Sequence, residues 1–304
     1  MTAENTMQIA LVGLGKMGGN MVKRLLQGGH EVVGYDRDAN VVATLAKEGM
    51  VGASSLEDVV SKLKGPRAVW VMVPSGAITE STIKELAGLM SPNDIIIDGG
   101  NSNFMDSQRH AKELEEKKIR FLDAGTSGGI WGLKVGYCLM VGGDESAYKD
   151  IFPALKTLAP EGGLDYFGKA GAGHYVKMVH NGIEYAMMQS YAEGFELLKE
   201  CDYHFDLRKV TKVWNNGSVV RSWLLELAEL AFVADPELSA LKAYVDDPGE
   251  GRWTLNECIK YAVAAPALAA SVFALFSSRK DNAFGLRVLA ALRNQFGGHA
   301  VKKA

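Results

Sequence analysis

Gln8-Ile9-Ala10-Leu11-Val12-Gly13-Leu14-Gly15-Lys16-Met17-Gly18 is the stretch from which the fold of this chain can be read. A short apolar run ends in G-x-G-x-x-G, and an amphipathic pattern from Met17 to Gln27 follows at once. The first glycine allows a tight strand-to-helix turn, the second lets backbone approach a pyrophosphate, and the third lets the helix pack on its strand. Unpaired N–H groups at the start of such a helix suit phosphate. The next apolar run, Glu31 to Tyr35, ends in Asp36-Arg37. An acid at this strand end accepts hydrogen bonds from the adenosine ribose and repels a 2′-phosphate. Gly13, Leu14, Gly15, Lys16, Met17, Gly18, Asp36 and Arg37 are therefore expected to hold a dinucleotide. NAD is favoured, and Arg37 leaves NADP open because a guanidinium there could accept the extra phosphate.

Working outward, further strands are expected over Ala68 to Val73, Asp94 to Ile97 and Arg120 to Asp123, with helical periodicity between them, as in Met105 to Lys117. This alternation is the signature of repeated βα units on a parallel sheet. Ligands of open parallel sheets sit outside the carboxyl ends of the strands. The loops carrying Val73-Pro74-Ser75, Asp98-Gly99-Gly100-Asn101 and Thr126-Ser127-Gly128-Gly129 should therefore line one cleft, with Val73, Pro74 and Asn101 facing the cofactor. After Gly171-Ala172-Gly173 strand signals almost vanish. Helices are expected over Tyr175 to Lys199, Leu207 to Asn216, Ser222 to Phe232, Leu255 to Lys260 and Leu268 to Phe276. The expected fold class is α/β: an N-terminal Rossmann doubly wound parallel sheet over residues 1–168, then an all-α C-terminal domain over residues 169–304.

Composition narrows the function. The 304 residues are 47% hydrophobic, enough for a large core and better suited to two domains than one. Lys+Arg 33 against Asp+Glu 36 leaves a net charge of −3, which gives no electrostatic footprint for nucleic acid. Cys138, Cys201 and Cys258 are scattered without CxxC spacing, which argues against a disulfide framework or a zinc site and fits a reducing cytoplasm. The N-terminus lacks the pattern of a signal peptide. The uncharged run from Tyr261 to Ser278 contains Pro266 and reads as a buried helix rather than a membrane span.

The chemistry is concentrated in Lys177-Met178-Val179-His180-Asn181-Gly182-Ile183-Glu184-Tyr185. At helical spacing, Lys177, His180, Asn181, Glu184 and Tyr185 share one face, and Met178, Val179 and Ile183 lie opposite. A tunable base, an amide, an acid, an imidazole and a phenol on one stripe look like an active-site wall, with Gly182 leaving room for a ligand. Near a nicotinamide, a lysine of lowered pKa could take a hydroxyl proton as hydride leaves carbon. Glu184, two turns on, could serve as a second acid. Two proton-transfer groups on one helix imply two proton events at different carbons, as in oxidation followed by decarboxylation.

The run Gly171-Ala172-Gly173-His174-Tyr175-Val176 and its continuation to Tyr185 closely resembles the signature of the decarboxylating 6-phosphogluconate dehydrogenases, within the β-hydroxyacid dehydrogenase superfamily. Asp98-Gly99-Gly100-Asn101-Ser102, Gly125-Thr126-Ser127-Gly128-Gly129 and Arg293-Asn294-Gln295-Phe296-Gly297-Gly298-His299 support the match. The resemblance covers almost the whole chain and is similar to the short form of the family. It implies oxidation and decarboxylation of 6-phosphogluconate to ribulose 5-phosphate in the pentose phosphate pathway. In that scheme Lys177 is the base at the C3 hydroxyl and Glu184 the acid at C1, with Asn181 beside them. Asn101, Ser127, Gly128, Gly129, His180 and Asn181 would hold the sugar acid, and Tyr185 its phosphate. Arg293 and His299 would come from a neighbouring subunit, so a homodimer or homotetramer is implied, and no metal is required.

One position departs from the family. The segment Ser271 to Phe276 usually ends Phe-x-Arg, an arginine that grips the substrate phosphate, and this chain has Leu275 there. Arg279 is the expected substitute, with Arg252 or the partner's Arg293 as alternatives. Leu275 also keeps two other enzyme readings open: a non-decarboxylating β-hydroxyacid dehydrogenase, or a dehydrogenase of an unphosphorylated sugar acid. An NAD-sensing regulator without turnover is a further class, and the Lys177 and Glu184 pair speaks against it.

Overall fold

The computed structural model describes residues 6–281, 283–297, 300 and 302. Among the described residues eight strands occur: β1 (Gln8–Val12), β2 (Glu31–Tyr35), β3 (Val51–Gly52), β4 (Ala68–Val71), β5 (Ile95–Asp98), β6 (Arg120–Ser127), β7 (Cys138–Gly143) and β8 (Leu164–Tyr166). Among them run α1 (Lys16–Gln27), α2 (Ala39–Ala46), α3 (Leu56–Lys62), α4 (Ala77–Leu89), α5 (Phe104–Glu115), α6 (Gly132–Val135) and α7 (Glu145–Leu158). Then follow α8 (Ala172–Glu200), α9 (Leu207–Asn215), α10 (Trp223–Ala234), α11 (Glu250–Lys260), α12 (Pro266–Ser277) and α13 (Phe284–Gly297). The chain divides into two compact units, Met1–His180 and Asn181–Ala304, and α8 is continuous through the division.

The first unit is one sheet in the order β3-β2-β1-β4-β5-β6-β7-β8. Its first six strands reproduce the 3-2-1-4-5-6 order of dinucleotide-binding sheets. Strand residues alternate between two cores. Ile9 and Leu11 join Trp70, Ile95 and Ile97 on one face, while Ala10 and Val12 join Val69, Val71 and Ile96 on the other. Burial on both faces explains why these strands read as continuous apolar runs.

The sheet departs from the purely parallel expectation at one point: β7 pairs antiparallel with β6, and β8 pairs parallel with β7. Residues 128–137, which join β6 to β7, are fewer than the dozen or so that a parallel crossover needs, so the chain returns antiparallel. β3, β7 and β8 were not among the expected strands. β3 spans two residues and β8 three, too short for any period to show. β6 runs on to Ser127, beyond the expected end at Asp123.

The described residues of the second unit form helices and no strand. Phe195, Leu207, Leu225 and Phe232 form a small core joined by Trp214 and Tyr191. The Phe195 ring meets Phe232 edge-on at 5.2 Å and stacks on Trp214 at 6.1 Å. α11 begins five residues before the expected Leu255, because Gly249 adopts a left-handed φ of 115° and opens the helix at Glu250. α12 opens with Pro266 in its first turn, where a missing N–H costs nothing. Among the described residues no helix is long and apolar enough to cross a membrane.

Candidate active site

At the β1–α1 turn, the protein's own packing dictates two of the three glycines. Gly13 has φ 92°, and a Cβ there would lie 2.4 Å from the Met72 carbonyl oxygen. A Cβ on Gly18 would lie 2.0 Å from the Gly13 carbonyl oxygen. Gly15 differs: among the described residues, its chain neighbours aside, nothing lies within 4 Å of its would-be Cβ. Gly15 also starts α1 without a side-chain cap, and the first turn carries no acid. Open space over uncapped helix amides is what a pyrophosphate requires. Asp36 buttresses the turn: its Oδ2 accepts from the Leu14 N–H at 2.6 Å and its Oδ1 from the Asp38 N–H at 2.9 Å. Lys16 and Arg37 are exposed beside it, and Met17 is half-buried. These residues fit a dinucleotide.

The loops after β4 and β5 lie at the same edge of the sheet. Val73 is half-buried and Pro74 exposed, and the Pro74 carbonyl accepts from the Thr79 hydroxyl at 2.9 Å. Gly99 is pressed against Trp70, whose Nε1 would be 1.9 Å from a Cβ there. Asp98 is fully buried, and its Oδ1 accepts from the Gly100 N–H at 3.1 Å. Burial pushes its carboxyl pKa upward, against the opposing pull of His174. Asp98 Oδ2, Ser102 Oγ and Trp70 Nε1 are buried without hydrogen-bond partners among the described residues. Asn101 is exposed at the tip of this loop.

β6 and the start of α8 bring three of the expected residues together. Lys177 is only 6% exposed. Its Nζ lies 3.4 Å from His180 Nδ1, and His180 Nε2 lies 3.4 Å from the Ser127 hydroxyl. One imidazole thus touches an amine on one side and a hydroxyl on the other, a short polar chain with a proton-exchanging group at each link. Gly128 and Gly129, with φ of 124° and 50°, turn the backbone away after Ser127. Gly129 has open space where a side chain would be.

Along α8, Lys177 and Asn181 of the expected polar face are each 6% exposed and His180, Glu184 and Tyr185 are half-buried, whereas Ile183 from the apolar face is 58% exposed. Met178 is buried. Gly182 corrects the sequence reading. Its missing side chain does not make room for a ligand, because a Cβ would lie 2.9 Å from Thr254 Cγ2 and 3.2 Å from Leu268 Cδ1. The glycine lets α11 and α12 pack against α8. Glu184 is half-buried.

Tyr185 rests on Gly251 and donates to Glu250 Oε2 at 3.3 Å. Burial, then the Glu250 charge, raises the phenol pKa. Beyond it, Asp247, its side chain 4% exposed, faces two guanidinium groups: Arg252 Nε at 2.9 Å and Arg279 Nη2 at 3.5 Å. Arg279 also lies over the Phe276 ring at 5.4 Å. It sits two residues past the end of α12 rather than on the helix. Leu275 is half-buried on α12 and Arg293 is exposed on α13. His299 lies outside the described residues. Sequence reasoning missed Asp247 and Glu250, although the turn Asp247-Pro248-Gly249 just before a charged helix start was a usable signal.

Two family models match the chain. The NAD binding domain of 6-phosphogluconate dehydrogenase matches residues 8–168, and the 6-phosphogluconate dehydrogenase C-terminal domain matches residues 173–291. The chain belongs to the 6-phosphogluconate dehydrogenase family. Within it, an NAD(+)-dependent, decarboxylating 6-phosphogluconate dehydrogenase of Haloferax volcanii is 43% identical over 300 residues, 98% of this chain and 99% of that one. YqeC of Bacillus subtilis, which bears the family name provisionally, is 44% identical over 297 residues, 98% of this chain and 100% of that one. The Plasmodium falciparum 6-phosphogluconate dehydrogenase has been solved apo, with its cofactor NADP+ and with its substrate 6-phosphogluconate. It superposes with a TM-score of 0.82 at 28% identity, over 98% of this chain and 66% of that longer one.

Proposed function

We propose that this family member oxidises and decarboxylates 6-phospho-D-gluconate to D-ribulose 5-phosphate and CO2, with NAD preferred over NADP. The observation that carries the reading is Lys177, buried and in contact with His180, which in turn contacts Ser127. Gly13, Leu14, Gly15, Lys16, Met17, Gly18, Asp36, Arg37, Val73, Pro74 and Asn101 would hold the cofactor, which supplies the hydride acceptor when bound. Asp36 supports the choice of NAD, since its carboxylate would repel a 2′-phosphate. Dinucleotide binding is assigned to residues 1–168, and substrate binding and dimerisation to residues 169–304.

Lys177 takes the proton of the C3 hydroxyl during oxidation. As an ammonium it then polarises the C3 ketone, so that the electrons released with CO2 are accepted there. Glu184, two turns along α8, delivers a proton to C1 of the enediol, with Asn181 beside it. Asn101, Ser127, Gly128, Gly129, His180 and Asn181 hold the carboxylate and hydroxyls. Tyr185 and Arg279 take the phosphate, and the pairing of Arg252 with Arg279 at Asp247 supports a dianionic group there.

A homodimer or homotetramer, with Arg293 and His299 acting across its interface, completes the proposal. Exposed apolar side chains of the second unit support it: Leu197 at 70%, Phe273 at 62%, Phe284 at 72% and Leu289 at 57%. Three free thiols, Cys138, Cys201 and Cys258, fit the cytoplasmic location we assign.

The test is a steady-state assay of 6-phosphogluconate with NAD and with NADP, with ribulose 5-phosphate and CO2 measured, and gluconate and 3-hydroxyisobutyrate as competing substrates. Lys177→Met should lower kcat by about 10²–10⁴ while NADH still binds. No product from 6-phosphogluconate with either cofactor would sink the proposal.

A further inference from the structure

We infer that Asp123 and Gly125 of β6 are positioning residues that set the place of Lys177, and this rests on the reading of Lys177 as the base. Side chains at positions 123, 125 and 127 project from the same face of the strand. Each meets a successive part of α8. Asp123 is fully buried, and its two carboxylate oxygens accept from the backbone at the helix start: Oδ1 from the Gly171 N–H at 2.7 Å and Oδ2 from the His174 N–H at 2.8 Å. Gly125 lies under Lys177, so that a Cβ there would be 2.4 Å from Lys177 Cβ and 2.9 Å from the Gly173 carbonyl oxygen. Ser127 reaches His180 at 3.4 Å.

The spacing follows from the two geometries. Two strand residues advance about 6.6 Å, and one helical turn advances about 5.4 Å, so alternate residues of β6 keep pace with the first turns of α8. Glycines close the fit on the helix side. Gly171, at φ 91°, would place a Cβ 2.9 Å from the Phe104 carbonyl oxygen. Gly173 would place one 2.4 Å from the Met140 carbonyl oxygen and 2.5 Å from that of Asp123. Gly142 of β7 would place one 2.7 Å from the Gly173 nitrogen. The start of α8 therefore has little freedom to slide or rotate on the sheet. A carboxylate bound to its first amides also opposes the positive end of the helix dipole, which holds the helix start at β6. Lys177, less than two turns in, inherits that placement.

The experiment compares the full chain with Asp123→Asn and Gly125→Ala. Asparagine keeps the shape but turns one acceptor into a donor facing the Gly171 or the His174 N–H, and alanine pushes the Lys177 stem away. A displacement of about 1 Å at a catalytic group costs up to a hundredfold, so kcat should fall about ten- to a hundredfold. The KM for 6-phosphogluconate and the NADH Kd should stay within about twofold, since neither variant touches Gly15 or Asp36. Crystal structures of the variants should show Lys177 Nζ displaced from His180. That readout needs no turnover, so it stands even if 6-phosphogluconate proves not to be the substrate. Wild-type kcat in both variants, Lys177 unmoved, or kcat and NADH affinity lost together would each overturn the inference.

Discussion

The Gly13 to Gly18 turn of the first unit and the arginine pair of the second are both proposed to take phosphate, but they are built from different materials. At Gly13 to Gly18 the complementarity is backbone: helix amides, glycine clearances of 2.0 and 2.4 Å, and one carboxylate that ties the loop. At Asp247, Arg252 and Arg279 it is carried by long side chains that meet on one buried acid from separate parts of the unit. A backbone site tolerates almost no substitution at its fixed points. A side-chain site can lose one arginine and recruit another nearby, and the proposed phosphate role of Arg279 rests on that property.

That contrast can be broken or sharpened by measurement. Gly18→Ala should have the largest effect, because overpacking against the Gly13 carbonyl costs about 1–3 kcal/mol, seen as a lower melting temperature together with lost NADH binding. Gly15→Ala is the sharper companion. Its φ of −60° suits alanine, so melting should be unchanged, yet NADH Kd should rise about ten- to a hundredfold as the lost phosphate contacts would require. Unchanged NADH affinity in Gly15→Ala would remove the pyrophosphate from this turn. Asp36→Asn should lower the NAD-to-NADP ratio of specificity constants by roughly tenfold, from one charge-assisted contact. Arg279→Met should raise the KM for 6-phosphogluconate by up to about tenfold with kcat little changed. A loss in kcat as large as that in KM would mean the cluster acts in the transition state and is not a simple grip.

The smallest effect is expected at Glu80, where side chains join α4 to α5 inside the first unit. Arg109 Nη1 at 2.9 Å, with His110 Nε2 at 2.8 Å, holds the Glu80 pKa down at about 2. A depressed folded-state pKa contributes stability above the ordinary value of 4.5, and that contribution is lost as pH falls from there towards about 2. Glu80 is 40% exposed, so solvent screening limits the contribution to less than about 1 kcal/mol. Thermal melts of Glu80→Gln between pH 7 and pH 3 should show a slightly shallower acid slope than wild type.

The same division explains what could be read from the sequence. Central strands such as Gln8–Val12 and Glu31–Tyr35 are buried on both faces and flanked by turn residues, so their positions follow from local pattern. β7 announced itself poorly, because its pairing depends on the length of residues 128–137 and not on any period within it. The Lys177 stripe was legible because one helix carries all its members. The roles of Asp123 and Asp247 were hidden, since each draws its partners from residues far along the chain: Gly171 and His174 for one, Arg279 for the other. Gly182 misled for a related reason: a small residue beside polar ones reads as space until the helices packed on it are known.

Strand β6 carries a cost for mutational tolerance. Leu122 and Ala124 are fully buried in the core of one sheet face and Thr126 is 3% exposed, while Asp123, Gly125 and Ser127 are committed to α8 on the other. From residue 122 to residue 127 each position is either buried in the core or in contact with α8. A saturation scan scored by enzyme activity should show it as an unbroken block of intolerance, and directed evolution of new specificity would have to find its variation in the loops around it.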